Sequence, residues 1–186
     1  MLRLSFLFFS CICLGQIQQT KSWDATGLKD ADINCAWASS IRISTHKKPT
    51  IEVNYQKEGE YQYLHLLREK IDGKRFYLEE YQSPNYIKPN DKLSVHKAVA
   101  NMLVIKIPEN LNLSLVAKET QLECNGVFKK INLMVEHGKA TLKIYEPKGV
   151  IQSISADLHF YGLHLDRLPQ NLLVTSARGN IKIHPN

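Results

Sequence analysis

Long apolar runs are scarce in this chain. The one that stands out, Leu4 to Leu14, spans about eleven residues where a bilayer-crossing helix needs roughly 20, so a retained transmembrane anchor is not expected. Arg3 precedes the run, and Cys13-Leu14-Gly15 places small residues at −3 and −1 before Gln16. That is the pattern of a secretory signal peptide. Residues 1–15 are therefore expected to be removed, leaving a chain that starts at Gln16 and works in the periplasm, on the cell surface or in the medium. A lipidated cysteine would need a Leu-like residue three positions earlier and small residues just before it; Cys11 has Phe8 at that place and Cys13 follows Ile12, which favours soluble export.

Cysteine is almost as sparse. Of four, only Cys35 and Cys124 lie beyond residue 15, in a compartment where disulfides persist. A bridge between them is one reading. The other is that each is a small buried hydrophobe, since Cys35 continues the alternation Ile33, Cys35, Trp37 and Cys124 follows Leu122 by two.

Charge of one sign is not concentrated either. The net charge of +6 comes from 24 Lys and Arg interspersed with 18 Asp and Glu. Lys47-Lys48 and Lys129-Lys130 are only doublets, which excludes the clustered footprint of a nucleic-acid binder and leaves at most a weak attraction to anionic polysaccharide or lipid.

Catalytic motifs are missing too. There is no His-Glu-x-x-His, no Gly-x-Ser-x-Gly, no Gly-rich loop ending in Lys-Ser/Thr, and no Cys-x-x-Cys beyond residue 15. His159 and His164 are five apart and face opposite sides of a strand, so they read as ordinary histidines. Glu79 and Glu80 are adjacent and also point oppositely; with Asp157 and Asp166 they read as solvated charge, not as the spaced pair a glycosidase needs. Cys124 and His137 lack an orienting partner. No catalytic residue, metal ligand or cofactor is assigned.

What the chain has is period two. Ile33, Cys35, Trp37, Ile41, Ile43, Ile51, Val53 and Tyr55 all fall on odd positions with polar residues between, the signature of half-buried strands. Asp72-Gly73 marks a hairpin between Tyr61–Glu69 and Phe76–Tyr81, although Leu64, Leu67 and Ile71 also fit a short helical stripe. Residues 82–92 form a turn-rich loop, and the next stretch to Ala100 suits a helix or a strand equally. Leu103, Ile105 and Ile107 alternate, and Leu111, Leu113 and Leu115 resume the pattern after Pro108. Tyr61, Tyr63 and Tyr77 belong to an aromatic concentration in the first half that suits either a ligand-contacting face or simple cross-strand pairing.

The last third contains a weak repeat of strand, polar turn and strand. Glu119, Gly138, Asp157 and Gly179 mark its turns at spacings of 19, 19 and 22 residues. A period near twenty suggests the rungs of a β-solenoid or β-roll; an antiparallel sandwich with evenly spaced hairpins is the alternative. In this reading Leu113, Leu133 and Leu173 are buried.

Several stretches carry a resemblance: Glu58-Gly59-Glu60-Tyr61, Asn90 to Lys97, Ile107-Pro108-Glu109, and Thr175-Ser176-Ala177-Arg178-Gly179-Asn180-Ile181. Together they resemble the adhesin-like domain of exported proteins of Gram-negative bacteria, related to the head domains of autotransporter adhesins. The resemblance covers roughly residues 33–186 and departs from longer members by stopping soon after Gly179. It implies a mainly β, solenoid-like single domain at the cell envelope, preceded by an N-terminal segment over 16–32, and by name it implies adhesion. The expectation is thus a non-catalytic binding or structural module whose partner is an envelope protein or polysaccharide. A periplasmic carbohydrate-active enzyme on a β-helix and an accessory subunit of an envelope complex are the alternatives. Lys182 and Pro185 discourage strand addition at the chain's end, so a monomer is expected.

Overall fold

The computed structural model describes residues 17–58, 65–84, 100–109, 111–145, 148–162 and 171–184. The expected signal segment and Gln16, Tyr61 and Tyr63, His164 and Asp166, and most of the stretch before Ala100 lie outside them. The chain is mainly β. Thirteen strands make one sheet with no helix among the described residues.

Four strands precede the hairpin: β1 (Ile17–Asp24), β2 (Asp30–Cys35), β3 (Ser40–His46) and β4 (Thr50–Glu58). The alternation predicted for this region is what is buried, with Ile33, Cys35, Ile41, Ile43, Ile51, Val53 and Tyr55 all in the core. The Asp72-Gly73 hairpin forms between β5 (His65–Asp72) and β6 (Arg75–Gln82), which pair antiparallel from His65↔Gln82 to Asp72↔Arg75. Gly73 sits at φ +58°, where a residue without a side chain is least strained. The strand reading of the first arm therefore holds over the helical one.

From β7 (Ala100–Pro108) the chain enters two 16-residue strands, β8 (Asn112–Val127) and β9 (Lys130–Tyr145). In β8 the buried positions are odd at Leu113, Leu115 and Ala117, then even at Thr120, Leu122 and Cys124; β9 switches likewise between Val135 and Ala140. A strand keeps one parity on each face, so this change marks a bend. The β8–β9 ladder skips Lys118 and Glu136 at that point and resumes with Glu119↔His137 and Thr120↔Gly138. Beyond it come β10 (Gly149–Ser153), β11 (Asp157–Tyr161), β12 (Leu172–Ser176) and β13 (Ile181–His184). These pair parallel with what precedes them: β10 and β11 lie beside the two halves of β9, β12 beside β10, and β13 beside β11. The antiparallel sandwich is thereby excluded for the last third.

The first strands join the same array. β2 lies parallel to the first half of β8 and β3 to its second half. β6 and β5 continue outward from β2, while β7, β4 and β1 continue outward from β3. The main path runs β1-β4-β7-β3-β8-β2-β6-β5 and does not close. Side chains in register form columns that build the core: Leu78, Ile33, Leu115, Leu133, Ile151 and Val174 on one side, and Ile105, Ile43, Cys124, Leu142, Phe160 and Ile183 on the other.

Three expectations need correcting. Cys35 and Cys124 are not bridged; both thiols are free and buried. Cys35 stands opposite Ala117 and Cys124 opposite Ile43, on different halves of the bent β8. Leu173 is 55% exposed, because Leu172 and Val174 take the inward positions of β12. A one-residue register slip exchanges the faces of a strand. Trp37 does not continue the buried alternation, since β2 ends at Cys35 and the chain turns before β3.

Candidate functional site

Two parallel strands in sequence need a connection whose amides find acceptors, and the turn between β2 and β3 is where this chain does something unusual. At later corners the acceptors are backbone carbonyls of the preceding strand pair: Ser155 N–H donates to the Glu136 carbonyl at 2.8 Å, and Arg178 N–H to the Ile154 carbonyl at 2.8 Å. Beside β2 lies β6, whose chain does not turn there. Instead Phe76, Leu78 and Glu80 point inward, and Glu80 arrives next to the turn.

Glu80 is only 3% exposed. Its Oε2 accepts the N–H groups of Trp37 at 2.7 Å and Ala38 at 2.8 Å. Its Oε1 accepts the Tyr55 hydroxyl at 2.5 Å and the Asn101 amide at 3.2 Å. The carboxylate thus stands in for missing carbonyls and ties together β6, the β2–β3 turn, β4 and β7. The reading of Glu80 as solvated charge is overturned. Its neighbour Glu79 fits that reading, exposed on the outer face with Arg68.

Around Glu80 the polar groups chain together. Asn101 Nδ2 also lies 2.8 Å from His65 Nδ1, which makes that ring nitrogen the acceptor. Lys57 Nζ donates to the His65 carbonyl at 3.1 Å and sits 5.5 Å over the Tyr55 ring. Ser39 Oγ donates to the Asn101 carbonyl at 3.0 Å. Burial, then the Glu80 charge, pushes the Tyr55 hydroxyl far above its ordinary value, so it remains a donor. Burial lowers both His65 and Lys57, the nearby Glu80 charge opposing it in each. With four donors on its two oxygens, Glu80 has no free lone pair directed at a substrate. The cluster is a clamp.

What the clamp holds out is Trp37. Its ring is 37% exposed and stacks on His65, centroids 4.9 Å apart and planes 13° from parallel. Beside it a groove of about 450 Å³ crosses the corner column, lined by Trp37, Ser39, Glu119, Thr120, Gln121 and Gly138. The column is continuous: Gln121 N–H donates to the Ser39 carbonyl at 2.9 Å, and Thr120 lies opposite Gly138. A Cβ on Gly138 would fall 2.1 Å from the Thr120 carbonyl oxygen. Only glycine permits that approach.

Of the aromatics singled out from sequence, Tyr77 is half-buried on the outer face of β6, opposite Asp32 and Lys70, away from the groove. The alternation predicts Trp37 as core, and Tyr55 both as core and as one of the first-half aromatics; no spacing signal brings either to Glu80. Asp157 sits at a corner and accepts both Asn180 N–H at 2.8 Å and Asn180 Nδ2 at 3.0 Å, a local turn contact. His159 meets His184, ring nitrogens 3.0 Å apart. Cys124 is enclosed, its thiol pushed up by burial, and Cys35 likewise with Glu80 adding to the effect.

No family model matches the chain and no curated protein does. Solved structures do. A crystal structure from Clostridium sporogenes, provisionally named a cell adhesion protein, superposes with a TM-score of 0.63 at 13% identity over 92% of this chain and 100% of that one. The shared fold is established at that level. A provisionally named adhesin from Bacteroides fragilis aligns with a TM-score of 0.32 at 8% identity, over 93% of this chain and 99% of that one. A provisionally named lipid-binding protein from Parabacteroides distasonis aligns with a TM-score of 0.25 at 11% identity, over 90% and 96%. Those two scores are too low to carry an argument.

Proposed function

We propose that this chain is an exported, non-catalytic, adhesin-like binding module of the bacterial cell envelope, monomeric and built as a β-solenoid. The solenoid reading is supported by register. Lys130 lies beside Asn112, yet only two residues separate it from Val127. A straight 16-residue strand would run about 50 Å, so β8 must return to its start, one strand spacing along. The fold shared with the Clostridium sporogenes protein supports the adhesive reading, and Arg3 with the apolar run to Leu14 supports export.

The observation that carries the binding reading is the pairing of Glu80 with Trp37. The buried carboxylate, which a hydrolase would use on substrate, is spent on four internal bonds; one of them holds the Trp37 backbone, whose indole stands at the surface stacked on His65. The test is retention of the purified full-length chain on envelope fractions, with released reducing ends assayed in parallel. Saturable retention without sugar release is expected. Sugar release, or no saturable retention, overturns the proposal.

A further inference from the structure

We infer that the groove beside Trp37 binds a neutral oligosaccharide; this rests on the binding-module reading and gives it a ligand class. Its volume of about 450 Å³ falls within the usual range for small-molecule sites, roughly 300–1,000 Å³. Three features select the ligand.

The first is the indole. A sugar ring presents an apolar C–H face that packs on an aromatic plane, and tryptophan offers the largest such plane with a polar edge. Trp37 is held before any ligand arrives: the ring is stacked on His65 and the backbone N–H is fixed by Glu80. Ordering it on binding therefore costs little.

The second is the pattern of hydrogen-bonding groups. Glu119 and Gln121 stand at the rim as acceptor and as donor with acceptor, matching hydroxyls that do both.

The third is charge. The lining carries one carboxylate, Glu119, and the exposed Lys139 stands beside Gln121 in the column. The two charges balance, so no cluster of cations is there to collect the phosphate, sulfate or uronate groups of an acidic polysaccharide. An extended peptide is also a poor fit, because the backbone groups at this corner are already paired within the column.

Isothermal titration of the purified full-length chain with cellohexaose, maltohexaose, chitohexaose and an isomalto-hexaose, and with a heparin-derived hexasaccharide as the anionic probe, tests the inference. At least one neutral hexaose should bind. Trp37→Ala should weaken it about tenfold or more and Trp37→Phe less, the ring being partly kept. Gln121→Leu, which keeps the size and removes the amide from an exposed position, should weaken it several-fold without shifting the unfolding midpoint downward. Absence of binding to all four neutral probes at about 10 mM, binding unchanged in Trp37→Ala, or preference for the heparin fragment overturns the inference. Envelope retention separates the two readings: retention with no hexaose binding ends the sugar inference and leaves the binding module standing, whereas loss of retention in the unaltered chain ends both.

Discussion

Between Asn112 and His184 each strand lies beside one 18 or 23 positions away, as the contacts of His137 with Ser155 and of Ser153 with Ser176 show. β2 instead meets β8 across 82 positions, the distance from Asp30 to Asn112. In the later region the corner amides of Ile154, Ser155, Ala177 and Arg178 find carbonyls of the chain one rung before, those of Gly179 and Asn180 find Ser176 Oγ and Asp157 Oδ1, and the interior is filled by apolar columns. In the earlier region strands come from separate parts of the chain, the corner after Cys35 has no preceding corner beside it, and a buried carboxylate takes the place of the missing carbonyls. The difference shows what a repeating register supplies for nothing. Where the repeat begins, a charged side chain is buried to finish the same hydrogen bonding, and it draws Tyr55 and Asn101 into the interior with it, Asn101 Oδ1 being left without a partner among the described residues.

Removing that substitute should have the largest effect. Glu80→Ala leaves two turn amides and the Tyr55 hydroxyl unpaired in the interior, and a loss of about 3–5 kcal/mol is expected on chemical denaturation. A loss below about 1 kcal/mol would mean that water replaces the carboxylate and the two regions are less different than their bonding suggests. In the columns, Leu133→Ala should cost about 2–5 kcal/mol through lost burial and a cavity between Leu115 and Ile151. Tyr55→Phe removes one bond to Glu80 and should cost about 1.5–3 kcal/mol by the same measurement.

Acidity provides a gentler probe of the clamp. His65 is held below its ordinary pKa, chiefly by burial, so the unfolded chain takes up its proton first. Stability should be full above about pH 6.5 and fall as the pH drops from there through the lowered folded value. His65→Gln should show a shallower fall than the unaltered chain in thermal melts between about pH 7 and 5. The smallest effect belongs to Leu173→Ala, within about 0.5 kcal/mol, because this side chain faces solvent. A larger loss would restore the register in which Leu173 lies inside.

Much of the fold is legible because alternation is a local signal. Apart from Trp37, the odd apolar positions from Ile33 to Tyr55 behave as their spacing predicts, as do the Asp72-Gly73 turn and the leucines from Leu103 to Leu115. The repeat is legible in kind, with Gly138 and Gly179 both at tight corners, but its true offsets of 18, 18 and 23 residues differ from those read between turns. The last offset explains the misplaced leucine: 23 is odd, so the inward positions pass from Leu133 and Ile151 to Leu172 and Val174, and a reading that proceeds by even steps places Leu173 inside. The clamp was not legible. The alternation Phe76, Leu78, Glu80 puts Glu80 and not Glu79 on the inward face, but a carboxylate there reads as charge until its partners are known, and Trp37, Tyr55 and Asn101 are brought to it only by pairing between distant strands. Trp37 lost its buried place for the same reason, since a turn fixed by a remote carboxylate leaves no trace in local periodicity.

The unequal reach of the two kinds of pairing also sets an order of events. Closing a loop of 82 residues costs about 1.3 kcal/mol more than closing one of 18 by the logarithmic dependence of loop entropy on length, and non-local pairing slows folding. By this measure β8 and β9 are expected to pair before β2 and β3 join β8, with Glu80 closing the corner between them. A nascent chain emerging from its N-terminus has β4, β6 and β7 available to pair with β1, β2 and β3 before β8 follows, but β2 and β3 each keep one edge open until it does. The intervening polar residues of these early strands, Arg42, Glu52 and Asn54 among them, keep that waiting chain in solution.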